Sequence, residues 1–169
     1  MSSSGRKKSK TEHAPPSQAD ECMCAMMTTV KMVHKYASAK FSKHPQFNKL
    51  SGPRVGVLFI VHEAGAIRMG DLAAKLMVAP RTVTDAIDGL ERDGFLRRVP
   101  DPSDRRAMLI ELTPDVKENF GKIAAMRKQF AEEMFSVFTA EECTEFVRLL
   151  TKLQKGPLSK LAEMLDLSE

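Results

Sequence analysis

The chain has 169 residues, 43% of them hydrophobic, with a formal net charge of +4. That is enough for one domain with a buried core plus an extension. Its longest apolar run, residues 55–61, is far below the roughly 20 residues a membrane-spanning helix needs, which excludes a spanning helix from the expectation.

Residues 1–20, "MSSSGRKKSKTEHAPPSQAD", start basic but continue polar and proline-containing where a secretion signal needs an apolar segment. They read as a disordered basic tail on a cytoplasmic protein. Three cysteines, Cys22, Cys24 and Cys143, then imply reduced thiols and not a disulfide framework. Spacing gives no metal site: no second CxxC or histidine pair follows, and after His62-Glu63 position 66 is Ala, so no HExxH helix forms. No cofactor motif is legible. No nucleophile, base and orienting group fall into a recognisable arrangement, so an enzyme is not expected.

From Cys22 onward, Met23, Met26, Met27, Val30, Val33, Ala37 and Phe41 recur at three- and four-residue steps. This predicts a long amphipathic helix ending before Pro45, within a segment 21–50. Ser51 and Pro53 mark a second helix start; Val55, Leu58, Phe59 and His62 keep helical spacing until Gly65 stops it. It is nearly all apolar and so predicted to be buried. Residues 67–69 can only be a short extended piece. Asp71 suits the first turn of a third, two-turn helix, with Leu72, Ala73 and Leu76 inward. Pro80 opens a fourth, with Val83, Ala86, Ile87 and Leu90 on one side and Arg81, Thr84, Asp85, Asp88 and Arg92 on the other, ending at Gly94. Residues 95–99 are β-prone, and Met108, Ile110 and Leu112 alternate with Leu109 and Glu111, so two strands flank "PDPSDRR" as a hairpin.

Two short helices joined by a tight turn and followed by such a hairpin are the parts of a winged helix-turn-helix, here residues 51–112. Arg97, Arg98, Arg105 and Arg106 cluster on the hairpin. A nearly neutral globular part has to concentrate its positive charge in this way to hold a polyanion. After it, Thr113-Pro114 begins a long helix with Val116, Phe120, Ile123, Phe130, Met134 and Val137 in four-three steps. Thr139 with Glu142 forms a capping box for another. Gly156-Pro157 interrupts before Leu158, Leu161 and Leu165 continue an apolar stripe.

Residues 71–113 also carry a family resemblance. Leu72-Ala73, Leu76, Val78, Thr82-Val83-Thr84, Asp88, Leu90-Glu91, Gly94, Arg98, Asp101-Pro102, Asp104-Arg105-Arg106 and Leu112-Thr113 stand in the order of the MarR transcription regulators, which this stretch resembles. The chain departs from that pattern at Asp85 and Gly89, where the family often has Arg. The resemblance implies a mainly α winged helix-turn-helix with a short antiparallel wing, flanked by dimerisation helices at residues 21–50 and 113–169. It implies a homodimer on double-stranded, pseudo-palindromic DNA, acting as a repressor. Arg81, Thr82 and Thr84 would face the major groove, Arg98 and Arg105 would add contacts, Arg106 would reach the minor groove, and Asp104 would orient it. A small lipophilic or phenolic effector would meet Met27, His34, Arg54 and His62. Two alternatives stand beside this reading: a thiol-based redox response through Cys22 or Cys24, and a winged-helix module that binds protein. The second is suggested by a net-acidic helix at 80–93, with Arg81 and Arg92 against Asp85, Asp88, Glu91 and Asp93.

Overall fold

The computed structural model describes residues 17–45 and 47–164. The chain runs through α1 (Gln18–Phe41), α2 (Gly52–Ala64), β1 (Ala66–Arg68), α3 (Met69–Leu76), α4 (Pro80–Arg92), β2 (Leu96–Pro100), β3 (Met108–Leu112), α5 (Pro114–Phe135) and α6 (Ala140–Lys155). A 3-10 turn (Pro157–Lys160) and α7 (Leu161–Met164) follow. It is a mainly helical winged-helix fold with one small antiparallel sheet, ordered β1-β3-β2.

The first helix begins earlier than the apolar periodicity suggests. Ser17 accepts from the Asp20 backbone and Asp20 returns the bond to the Ser17 backbone, a capping box with Ser17 as N-cap that places 18–20 in the helix and not in the tail. Residues 1–16 of that expected tail lie outside the described residues. The extended piece 67–69 also gains a partner: β1 pairs with β3, Ile67 opposite Ile110, while β2 pairs with the other edge of β3, Leu96 opposite Leu112. The wing is therefore a hairpin tied into a third strand. Met69, expected at the end of the extended piece, instead opens α3.

Burial explains why these elements pack together. Leu58, Val61, Leu72, Val83, Ile87, Leu90, Leu96, Ile110 and Leu112 are all at most 1% exposed and form one core beneath the winged domain. Burying each such side chain contributes roughly 1.5–3 kcal/mol. Ile123, Phe120 and Val116 extend the core into the first half of α5, and Ala37 and Phe41 bring in the end of α1. Much of the remaining apolar surface of α1 and α6 stays exposed. Gly65 and Gly94 end α2 and α4 at φ +73° and +80°, conformations open to glycine at little steric cost. Among the described residues no helix is long and apolar enough to cross a membrane.

Candidate nucleic-acid interface

The outward face of α4 follows from its inward one. Val83, Ile87 and Leu90 lie at three- and four-residue steps and are buried, so at 100° per residue Arg81, Asp85, Asp88 and Arg92 fall on the opposite meridian. Arg81, Thr82, Thr84 and Asp85 are exposed along the first turns, where a recognition helix meets base edges.

The charges on this surface are sorted by the chain itself. Arg98, on β2, donates from Nη2 to Asp88 at 2.6 Å and from Nη1 to Glu91. These acids, Asp88 first, hold its pKa above the ordinary arginine value. Asp93, just beyond α4, accepts from Lys49 at 2.9 Å and from Arg54 at 2.6 Å, and these two bonds, the lysine's first, lower its pKa. The acids that make 80–93 look net acidic are thus largely matched by cations from other elements. Asp85 is the exception, with no hydrogen bond or ion pair among the described residues. The Arg54 guanidinium lies 3.6 Å from where a Cβ would stand on Gly89.

The wing separates its arginines in the same way. Arg97 is bonded to Glu111 through Nε at 2.6 Å, and Glu111 also accepts from Lys117 at 2.9 Å; the lysine first and then the arginine lower its pKa. Arg105 and Arg106, at the tip, are exposed and make no ion pair among the described residues. Asp104 accepts from the Arg106 backbone N–H at 3.0 Å, an Asx-type turn that fixes the Arg106 backbone. Beneath the tip, Asp101 is buried. Its Oδ1 accepts from the Ser103 hydroxyl at 2.6 Å and the Ser103 backbone N–H at 2.8 Å. Its Oδ2 accepts from Arg68 Nε at 2.9 Å and Nη2 at 2.6 Å. Ser103 first, then Arg68, lower its pKa from 3.8 to about 2. Arg68, which sequence pattern does not single out, is what ties the wing base to the start of α3. Its partner lies 33 residues away, beyond the reach of local pattern.

The expected effector residues are not gathered in one place. Arg54 is held by Asp93 and the Lys49 carbonyl at 2.5 Å. Met27 and His34 are exposed on α1 and line none of three grooves among the described residues. His62 alone of the four lines one, about 500 Å³, together with Gly56, Phe59, Ile60, Glu63, Phe120 and Arg127. His62 stacks on Phe120 at 3.7 Å and the Arg127 guanidinium stands 4.2 Å over Phe59. Cys22 and Cys24 are exposed thiols, two residues apart and so about 200° apart around the helix. Tyr36, the only tyrosine, is bonded to Glu133 of α5, which also accepts from Lys40 at 2.5 Å.

The MarR family's sequence profile matches residues 50–108. The transcriptional regulator PecS of Dickeya dadantii is 30% identical over 118 residues, 68% of this chain and 69% of its own length. The chain belongs to the MarR family. The uncharacterised regulator YsmB of Bacillus subtilis is 35% identical over 94 residues, 56% of this chain; the match spans 64% of YsmB's length. Two solved structures share the fold. Streptococcus pneumoniae FabT in complex with DNA aligns at TM-score 0.67 and 20% identity, covering 82% of this chain and 96% of that one. An organohalide-sensing regulator in its 2,4-dichlorophenol-bound form aligns at 0.73 and 18%, covering 90% of both. The MarR regulators are DNA-binding transcription regulators and not enzymes, and that is the class of this chain.

Proposed function

We propose that the chain is a repressor that binds a pseudo-palindromic operator as a homodimer and is released by a small lipophilic or phenolic anion. The observation that carries the operator reading is the sorting of charge. Asp88, Glu91, Asp93 and Glu111 are neutralised by the chain's own Arg98, Lys49, Arg54, Arg97 and Lys117, leaving Arg81 and Arg92 on α4 and Arg105 and Arg106 at the wing tip without an ion pair among the described residues. In this reading α4 enters a major groove with Arg81, Thr82 and Thr84, and Arg106, on a backbone set by Asp104, enters the neighbouring minor groove. Arg98 supports α4 and does not touch DNA. The pairing also removes the net-acidic surface that motivated a protein-binding module.

Dimerisation rests on apolar surface left uncovered by one chain. Met23, Met27, Val30 and Met32 on α1, and Phe146, Val147, Leu149 and Leu150 on α6, are all exposed, and α6 has no buried residue. Uncovered apolar surface on two helices supports an interface between copies of the chain. Two copies of α4 then meet successive major grooves roughly 34 Å apart. The effector is assigned to the groove of His62, Phe59, Phe120 and Arg127, where the rings suit a flat lipophilic molecule and Arg127 its anionic end, with Glu63 at the same groove favouring a ligand of low charge. The likeness to a dichlorophenol-bound regulator supports that chemistry.

The test is fluorescence anisotropy on a duplex selected from random sequence and on a scrambled one, at several salt concentrations. Arg106→Ala should cost on the order of 1–3 kcal/mol on the selected duplex, and removing a phosphate contact should flatten the salt slope by about one unit. Arg81→Ala should alter sequence preference. If neither variant changes affinity or slope, DNA is not the ligand of this surface.

A further inference from the structure

The departure of Asp85 from the family pattern acquires a role once its neighbours are accounted for. Asp85 lies on the outward meridian of α4, one helical turn beyond Arg81 and so on the same face. Asp88, on the same meridian, is held by Arg98 at 2.6 Å. Glu91 is held by the other arm of the same guanidinium, and Asp93 by Lys49 and Arg54. Asp85 alone among these acids presents two free carboxylate oxygens to whatever α4 meets.

A bare carboxylate in the groove of a polyanion is unfavourable unless a donor meets it, so what it faces is restricted. In the major groove, guanine presents only acceptors and thymine an acceptor and a methyl group; both repel or waste a carboxylate. Adenine places its amino donor beside the N7 acceptor. Cytosine's N4 amino donor has an acceptor, the paired guanine's O6, on one side only, whereas adenine's lies between its own N7 and the paired thymine's O4, which makes cytosine the base edge that best suits Asp85. Resting on the operator reading above, we infer that Asp85 is a specificity-determining residue that accepts a hydrogen bond from the N4 amino group of a cytosine in each half-site. The nearby Arg81, a donor fork, complements a guanine on the same groove floor. Asp85 thus acts by rejection as well as attraction: wrong bases leave a desolvated charge without a partner. An arginine at the same place would bind phosphates and guanines and lose this discrimination.

The experiment is parallel selection from random duplex DNA with the full chain, Asp85→Asn and Asp85→Ala, followed by anisotropy on the parental site with the assigned C·G pair replaced in turn. The parent should enrich cytosine at one symmetric position, and replacing it by thymine should weaken binding about tenfold. Asp85→Asn, which carries both a donor and an acceptor, should move the preference to adenine at that position and no other. Asp85→Ala should lose the preference there while keeping the rest of the site. Because Asp85 is exposed and unbonded, thermal melting should be unchanged in both variants. Identical sites for all three proteins, or a parental site with no cytosine dependent on residue 85, overturn the inference while leaving the operator reading intact. If the parent enriches no sequence, the operator reading itself falls, and this inference with it.

Discussion

Arg98→Ala distinguishes a scaffolding arginine from a DNA-contacting one. Arg98 donates from both arms of its fork to Asp88 and Glu91, whose side chains are 47% and 35% exposed. A charge-assisted hydrogen bond is worth about 1.5–3 kcal/mol where solvent is excluded and much less at an exposed site, so loss of the pair should cost about 1–2 kcal/mol of stability. The variant also bares two carboxylates on the helix proposed to meet DNA. A carboxylate and a phosphate ~10 Å apart in water repel by about 0.4 kcal/mol, so two acids near a few phosphates weaken binding by roughly 1 kcal/mol, or about fivefold. Salt should erase that difference, since it acts across about a Debye length. The deciding protein is the triple variant Arg98→Ala, Asp88→Asn, Glu91→Gln: with the acids gone, affinity and salt slope should return to the parent's. Anisotropy at stepped salt and thermal melting read both quantities. If the triple variant stays weak with a slope reduced by one unit, Arg98 touches a phosphate and the reasoning is wrong.

Other expectations follow from the same contacts. Asp101 is lowered from 3.8 to about 2 in the fold, so its ionised form stabilises the wing above pH 3.8 and that contribution is lost as pH falls through about 2; Asp101→Asn should therefore be less stable than the parent at pH 7 and equal to it below pH 2, by amide exchange at Ser103. The parent should sediment as the proposed dimer at micromolar concentration and Phe146→Asp as a monomer, and a dimer mass unchanged in the variant would move the interface elsewhere. Cys22→Ser with Cys24→Ser should leave peroxide response unchanged, since Tyr36 is engaged by Glu133; a peroxide-induced loss of binding in the parent that the double variant lacks would establish a redox switch.

What could be read from the sequence was what local physics decides. The spacing of Val83, Ile87 and Leu90 marks the buried face of α4 and, by subtraction, its outward one. Thr139 and Glu142 mark the start of α6, whose two capping bonds are formed at 3.2 and 2.9 Å. The box at the start of α1 is harder to see, because Ser17 is paired with Asp20 and not the commoner Glu or Gln, and because it sits next to a polar stretch. Long-range features were illegible for a different reason. Pairing of β1 with β3, and the tether of Arg68 to Asp101, join residues more than 30 positions apart that no period connects. Arg98 and Arg106 look alike in sequence; only the fold shows that one is bonded to Asp88 and Glu91 and the other has no ion pair among the described residues.

Hydroxyl-radical footprinting on the selected site shows whether a two-fold protein sits on two grooves of one duplex. Protection should be symmetric about one centre, with α4-facing segments roughly one helical turn apart and minor-groove protection outside them that disappears in Arg106→Ala. A single protected segment without symmetry, or a footprint unchanged in Arg106→Ala, would contradict that arrangement.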